Sequence, residues 1–299
     1  MINQIKQIVR FLNQHPLAKK HKLKAYSRFL NWQLSQSFFP REQIVSFLGE
    51  TRLVAKKGLN GITGNIYAGL EDFSDMSFVV HFLIPGDLFA DIGANAGSYT
   101  VLASGYSGAK TIAFEPVPST FEWLKKNIEL NNINNLVQTF NIGLSSQRGR
   151  ISFTSNFGTV NHVVAENELS EIIHPITVDV HPLDEIVEGQ KLPVLIKIDV
   201  EGFETEVLAG MHKTLKSEEL KAIIIELNGS GYRYGYDEIA IHDMLGSFNF
   251  HPYHYDPFER NVSKLDHFGD HNTIYIRDVD FVKERIQKAK KIQLFSESF

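Results

Sequence analysis

Leu88-Phe89-Ala90-Asp91-Ile92-Gly93-Ala94-Asn95-Ala96-Gly97-Ser98-Tyr99-Thr100 runs from an apolar stretch ending in an acid, through a loop of small residues, into a helical start. This is the pattern of a strand that turns tightly into a helix. Gly93 and Gly97 fall where backbone must turn or meet another group closely. A loop that holds a dinucleotide reads Gly-x-Gly-x-x-Gly, so that backbone amides cradle a pyrophosphate. Here Asn95 occupies the second glycine position, no third glycine is in register, and Asp91 would repel an anion. On the loop alone, a plain tight turn without a ligand is the competing reading.

The next two strand ends favour a ligand. Ile112-Ala113-Phe114 leads to Glu115, 24 residues beyond Asp91, the offset at which a second strand's terminal acid reaches the ribose hydroxyls of a nucleoside. Pro116 then turns the chain away over the adenosine. A third strand ends in Asn141-Ile142-Gly143, where an amide can read an adenine edge and an apolar side chain can pack on the ring. Asp91 suits the ammonium of an amino acid that also carries a sulfonium. Taken in order, these three strand ends fit S-adenosyl-L-methionine.

From Asp87 the chain alternates strand, tight loop and helix, which predicts a parallel sheet covered on both faces. Strands are expected near 87–92, 110–115, 136–141, 193–199 and 222–228, and helices near 97–105, 118–130, 204–216 and 237–246. Two further strands, near 249–255 and 271–277, follow without a helix between them and predict a terminal antiparallel hairpin. The fold expected is therefore an α/β, Rossmann-like, seven-stranded, mainly parallel sheet with helices on both faces. Upstream, Ile2, Ile5, Val9 and Leu12, then Leu23, Tyr26, Leu30 and Leu34, recur at helical spacing on either side of His15-Pro16. Arg52–Lys56 and Ile62–Ala68 read as two short strands around Lys57-Gly58-Leu59-Asn60-Gly61. Phe73, Met76, Val80 and Leu83 give a helix ending at Pro85-Gly86. The expected organisation is a basic helical extension over 1–60 and a main domain over 61–299. That domain carries an insertion at about 150–181, with strands at 150–154 and 176–181 around an irregular stretch.

The blocks Asp91–Thr100, Phe114-Glu115-Pro116, Ile196-Lys197-Ile198-Asp199-Val200-Glu201-Gly202-Phe203-Glu204 and Val207-Leu208-Ala209-Gly210 resemble the FkbM-type methyltransferases. The resemblance covers roughly residues 87–230, about half the chain. It implies methyl transfer from S-adenosylmethionine, usually to a hydroxyl oxygen of a sugar or a secondary metabolite. It places the cofactor against Asp91, Gly93, Ala94, Asn95, Gly97, Tyr99 and Thr100, against Glu115 and Pro116, against Asn141, Ile142 and Gly143, and against Asp199. Residues 1–60 and 150–181 lie outside the motifs and are the parts expected to determine the acceptor.

On the fourth strand Leu195, Lys197 and Asp199 share one face, and on the fifth Ala222, Ile224, Glu226 and Asn228 alternate in the same manner. As neighbours they would bring Lys197, Asp199, Glu226 and Asn228 together at the carboxyl edge of the sheet. Lys197 is read as a catalytic residue beside Glu201 and His271, and a buried lysine neutralised by Asp199 or Glu226 is the alternative. A hydroxyl acceptor must lose a proton, and Glu201, in the loop beside the donor methyl, or His271, before the last strand, can accept it directly or through water. Asp199, Glu226 and Asn228 also suggest an oxygen set for Mg²⁺, but Lys197 would repel a cation there, and no metal is expected.

With 43% apolar and 22% charged residues the composition is that of a folded globular chain. The absence of cysteine excludes disulfides, thiolate metal sites and a cysteine nucleophile. No signal peptide or membrane-spanning run is evident, so a cytoplasmic location is expected. Residues 1–60 hold 11 Lys/Arg against 2 Asp/Glu, a net +9, while the remainder holds 19 against 33, a net −14. Such an arm can dock on the acidic body or make peripheral contact with an anionic surface. An acidic body argues against a nucleic-acid partner. Asp199-Val200-Glu201-Gly202 also lacks the Asp/Asn-Pro-Pro-aromatic loop of enzymes that methylate base amino groups. The partner expected is a small-molecule or glycan hydroxyl acceptor. A scaffold that binds the nucleoside without turnover is the non-enzymatic alternative.

Overall fold

The computed structural model describes residues 2–154, 161–165, 168, 175–269 and 271–299. Two helices open the chain, α1 (Ile2–Gln14) and α2 (Lys22–Phe38). In α2, Ala25, Phe29 and Trp32 follow the helical period and are buried. Strands β1 (Gln43–Ser46) and β2 (Arg52–Ala55) pair antiparallel.

The strand expected over Ile62–Ala68 is instead part of helix α3 (Asn60–Ala68). Ile62 and Ile66 are four apart and both buried, a spacing that stacks side chains on one helix face and that strand alternation over so short a run does not distinguish. The partner of β2 is β1, whose Gln43-Ile44-Val45-Ser46 carries only two apolar residues. Helix α4 (Phe73–Phe82) follows and is buried along almost its whole length.

The main sheet begins with β3 (Leu88–Ile92). Helix α5 (Ser98–Thr100) continues into a π-helical turn over Val101–Tyr106, and β4 (Lys110–Phe114), α6 (Pro118–Leu130) and β5 (Val137–Phe140) come next. Strands β6 (Gly143–Leu144), β7 (Gly149–Phe153) and β8 (Ile176–His181) form a separate three-stranded sheet in the order β6-β8-β7. The last two match the strands expected in the insertion. Most of the stretch expected to be irregular between them lies outside the described residues.

After α7 (Leu183–Ile186) comes β9 (Leu195–Ile198). The single helix expected over 204–216 is two, α8 (Glu204–Ala209) and α9 (His212–Lys216). They break at Gly210, where a Cβ would stand 2.1 Å from the Ser145 carbonyl oxygen. β10 (Ala222–Glu226), α10 (Glu238–Ser247), β11 (His251–Asp256), β12 (Asn261–Lys264), β13 (Asn272–Ile276) and α11 (Val279–Lys288) complete the layers. A short hairpin of β14 (Gln293–Leu294) and β15 (Glu297–Ser298) ends the described chain.

The large sheet has eight strands, in the order β12-β11-β13-β10-β9-β3-β4-β5, rather than the seven expected. Strands β10, β9, β3, β4 and β5 run parallel to one another. β13 pairs antiparallel with both β10 and β11. The expected antiparallel pair is therefore present, but its two strands are joined through β12, which adds the outer edge. Only Val262 of β12 is buried, so that strand leaves no periodic trace, and its exposed Lys264 is of the kind that protects a free edge.

Alternation along the central strands serves two cores. Phe89, Leu195, Ala222 and Ile224 pack toward α1–α4 and α11, while Ala90, Ile196, Ile223 and Ile225 pack toward Leu208, Met211 and Leu245. Burial on both faces is why these strands read as nearly continuous apolar runs.

Candidate active site

The carboxyl ends of β3, β4, β9 and β10 open onto a cavity of about 290 Å³. Its floor is the junction of two loops. Gly93 has a φ of +78°, and a Cβ there would lie 1.8 Å from the Asp199 carbonyl oxygen. Only glycine lets the loops after β3 and β9 meet backbone to backbone. Gly97 does not line the cavity; its Cβ position is 2.7 Å from Leu124 Cδ1 and its role is close packing on α6. Ala94 and Asn95 complete the rim between them.

Asp91 is 1% exposed. Its Oδ2 accepts a hydrogen bond from Thr100 Oγ1 at 2.6 Å, while Oδ1 is buried with no hydrogen-bond partner. Thr100 thus orients the carboxylate from behind and is itself outside the cavity wall. Glu115 Oε2 accepts from Asn95 N at 3.0 Å and Oε1 from Val117 N at 2.9 Å. Burial raises its pKa to about 7 against the effect of those two amides. Each oxygen keeps a lone pair for a hydroxyl donor.

Asn141 is exposed, and its Nδ2 donates to the carbonyl oxygens of Glu115 and Pro116 at 2.8 and 3.0 Å. It braces the turn at Pro116 rather than facing the cavity. Ile142 and Gly143 after it do form the wall, together with Pro116.

The opposite end is acidic. Lys197 Nζ donates to Asp199 Oδ2 at 2.7 Å and sits 4.7 Å from the centre of the Tyr99 ring. Glu201 has a φ of +54°, which turns the chain immediately after Asp199. Burial and then repulsion from Asp199 raise the Glu201 pKa to about 7, opposed by Arg233 and Lys197. Burial followed by Asp199 and Glu201 raises that of Glu226 to about 9. Ligand oxygens of Asp199, Glu201 and Glu226 lie within 4.8 Å of one another.

Asn228, expected in this group, is exposed and caps the next turn by accepting from Ser230 N. His271 is also exposed and outside the cavity wall, and its carbonyl accepts from Leu227 N. Asn272 lines the cavity instead, opposite Glu226 in the β10–β13 ladder, with its Oδ1 buried and unpaired.

Sequence reading missed the segment between α3 and α4 as part of the site. Its Glu71 and Asp72 line the cavity together with Met76 of α4, and Asp72 Oδ2 accepts from Tyr99 Oη at 2.9 Å. Burial followed by Asp72 raises Glu71 to about 8. Three acids in five residues, Glu71, Asp72 and Asp75, were the available signal, but the apolar period of α4 dominates that stretch.

Among the described lining residues, Lys197 is the one cation facing Glu71, Asp72, Asp91, Glu115, Asp199, Glu201 and Glu226. This surplus of acceptors suits a ligand with an ammonium, a sulfonium and ribose hydroxyls, and repels a pyrophosphate. Asp91 Oδ1, buried without a partner, is an acceptor of the kind an ammonium requires. S-adenosylmethionine fits the residues present.

The chain matches the methyltransferase FkbM domain over residues 91–252. It is 36% identical over 146 residues to the hexuronic acid methyltransferase AglP of Haloferax volcanii, covering 48% of this chain and 56% of that protein. It is 30% identical over 162 residues to methyltransferase 1 of Beauveria bassiana, covering 46% and 60%. The chain thus spans little more than half the length of these curated relatives. Among solved structures, the precorrin-6y C5,15-methyltransferase of Geobacter metallireducens is 11% identical and superposes over 69% of this chain and 86% of its own, at a TM-score of 0.40. With the domain matched over more than half of its residues and a cavity suited to the donor, the chain belongs to the FkbM methyltransferase family, whose cofactor is S-adenosylmethionine.

Proposed function

We propose that the chain is an O-methyltransferase that acts on a hydroxyl of a sugar or secondary metabolite, with Glu201 as the proton acceptor. The observation that carries this reading is the position of Glu201. It follows Asp199 into the cavity wall and has a pKa of about 7, matched to general-base work near neutral pH. The relative from Haloferax volcanii methylates a hexuronic acid by name, which supports a sugar acceptor.

When bound, S-adenosylmethionine supplies a methyl group on a sulfonium whose charge is lost on transfer. Asp91 Oδ1 would meet its ammonium, Glu115, fixed by the amides of Asn95 and Val117, would hold its ribose hydroxyls, and Ile142 would give the base an apolar wall. Lys197 neutralises Asp199 and leaves Glu201 as the carboxylate free to take the acceptor's hydroxyl proton. Alignment of the two reactants and exclusion of water provide the remainder of the rate.

The test is incorporation of labelled methyl from S-adenosylmethionine into a panel of uronic acid glycosides, neutral glycosides and phenols, followed by mass spectrometry of the product. A methyl ether is expected. Transfer only to nitrogen, or to nucleic acid, would overturn the proposal.

A further inference from the structure

Helix α2 carries two apolar stripes on opposite faces. One, formed by Ala25, Phe29 and Trp32, is buried. The other is formed by Leu23, Leu30, Leu34 and Phe38, with relative exposures of 91%, 55%, 56% and 75%, and is continued past the helix by Phe39 at 61%. At 100° per residue these four positions lie about half a turn from the buried stripe. An amphipathic surface helix carries one such stripe, and a contiguous exposed one marks a contact site.

The charge of the N-terminal segment points to the kind of partner. Residues 1–60 carry a net +9. Lys6, Arg10, Lys19 and Lys22 are exposed and, among the described residues, form no ion pair. A two-fold contact between copies would set this positive surface against itself. An anionic lipid surface instead meets both features, taking the leucines and phenylalanine among its acyl chains and the lysines at its headgroups. The body, at −14, is repelled by the same surface, so the molecule is oriented with α2 toward the lipid. Among the described residues no helix is long and apolar enough to cross a membrane, and the contact is peripheral. We propose that the exposed face of α2 and its flanking cations dock the protein on an anionic membrane. This is independent of the methyl acceptor, because none of these residues lines the cavity.

The test is flotation of the full chain with vesicles of phosphatidylcholine alone or containing about 30 mol % phosphatidylglycerol, in low and high salt. The variants are Leu30→Glu/Leu34→Glu and Lys19→Glu/Lys22→Glu. All four side chains are exposed, and unchanged S-adenosylmethionine binding serves as the check on folding. Wild type is expected to float with anionic vesicles and to be released by salt, with binding reduced by about tenfold or more in each double variant. Equal binding to neutral vesicles, no binding to anionic ones, or variants that bind like wild type would each overturn the proposal. So would a dimer in sedimentation that Leu30→Glu/Leu34→Glu dissolves without any vesicle binding in wild type, since α2 would then be an interface between copies.

Discussion

Lys197 and Asp199, two residues apart on the same face of β9 and its exit loop, form an ion pair of 2.7 Å in the cavity wall. Burial alone would lower the lysine pKa, but the carboxylates of Asp199 and Asp91 outweigh it and hold the ammonium charged. Lys197 is 3% exposed, whereas the Asp199 side chain is 33% exposed, so the pair is dry on one side and open to ligand on the other.

Lys197→Met keeps the stem and removes the charge, leaving Asp91, Asp72 and Asp199 uncompensated. Breaking a buried pair costs about 3–5 kcal/mol, and the open side of Asp199 places this one at the lower end. Urea unfolding should show the loss, and Lys197→Met/Asp199→Asn should recover part of it. A single variant as stable as wild type would show that the pair has no structural role.

Stability should also depend on pH in a direction opposite to that of most acidic proteins. Burial holds Glu115 and Glu201 at about 7 and Glu226 at about 9, against 4.5 for an unperturbed glutamate. In each case burial is the first cause. The folded state therefore binds protons more tightly than the unfolded state. The stability these groups contribute is full below about 4.5 and is lost as pH rises through 7 to 9. Ligand-free protein should melt on the order of 5 °C lower at pH 8.5 than at pH 5.5, and bound S-adenosylmethionine should reduce the difference. A melting temperature that rises over this interval would contradict the charge assignment.

Two glycines with similar φ should respond differently. Gly93→Ala forces a Cβ into the Asp199 carbonyl, whereas Gly58, with a φ of +96°, has nothing within 4 Å of its Cβ position. Gly58→Ala should cost about 1 kcal/mol from backbone strain. Gly93→Ala should cost several-fold more or prevent folding, measured by the same unfolding titration. Equal costs would mean that the two loops do not depend on their close approach.

A chelator should leave methyl transfer unchanged, because Lys197 already occupies Asp199 within the acidic group. Loss of activity with chelator and its return with Mg²⁺ would instead make Asp199, Glu201 and Glu226 metal ligands.

What could be read from the sequence follows from how each element carries its information. The parallel strands are buried on both faces, so their apolar runs and the acids at their ends, Asp91, Glu115 and Asp199, stand out. β12 buries a single side chain and left nothing to find. Ile62 and Ile66 suit a strand by alternation and a helix by spacing, and nine residues are too few to decide. Of the cavity wall, Asp91, Glu115, Ile142 and Asp199 were found through the chemistry of strand ends, and Glu226 through the pairing of the fourth and fifth strands. Val117, Thr120 and Leu144 line it without a chemical signal of their own, and Asp72 and Asn272 reach it from distant segments, beside α4 and on the antiparallel β13. Asn141 and Thr100 sit at ligand-like positions in the pattern but spend their hydrogen bonds on Glu115, Pro116 and Asp91.

The proposed transfer of a hydroxyl acceptor's proton to Glu201 is tested most directly by kcat of Glu201→Gln against pH. The variant keeps the shape and hydrogen bonding of the side chain while removing its basicity. A fall of about 10²–10⁴ in kcat is expected, with loss of the wild-type limb near pH 7. The dissociation constant for S-adenosylmethionine should stay within about twofold, since Asp91 and Glu115 are untouched. A fall of less than about threefold, with the pH limb retained, would contradict it.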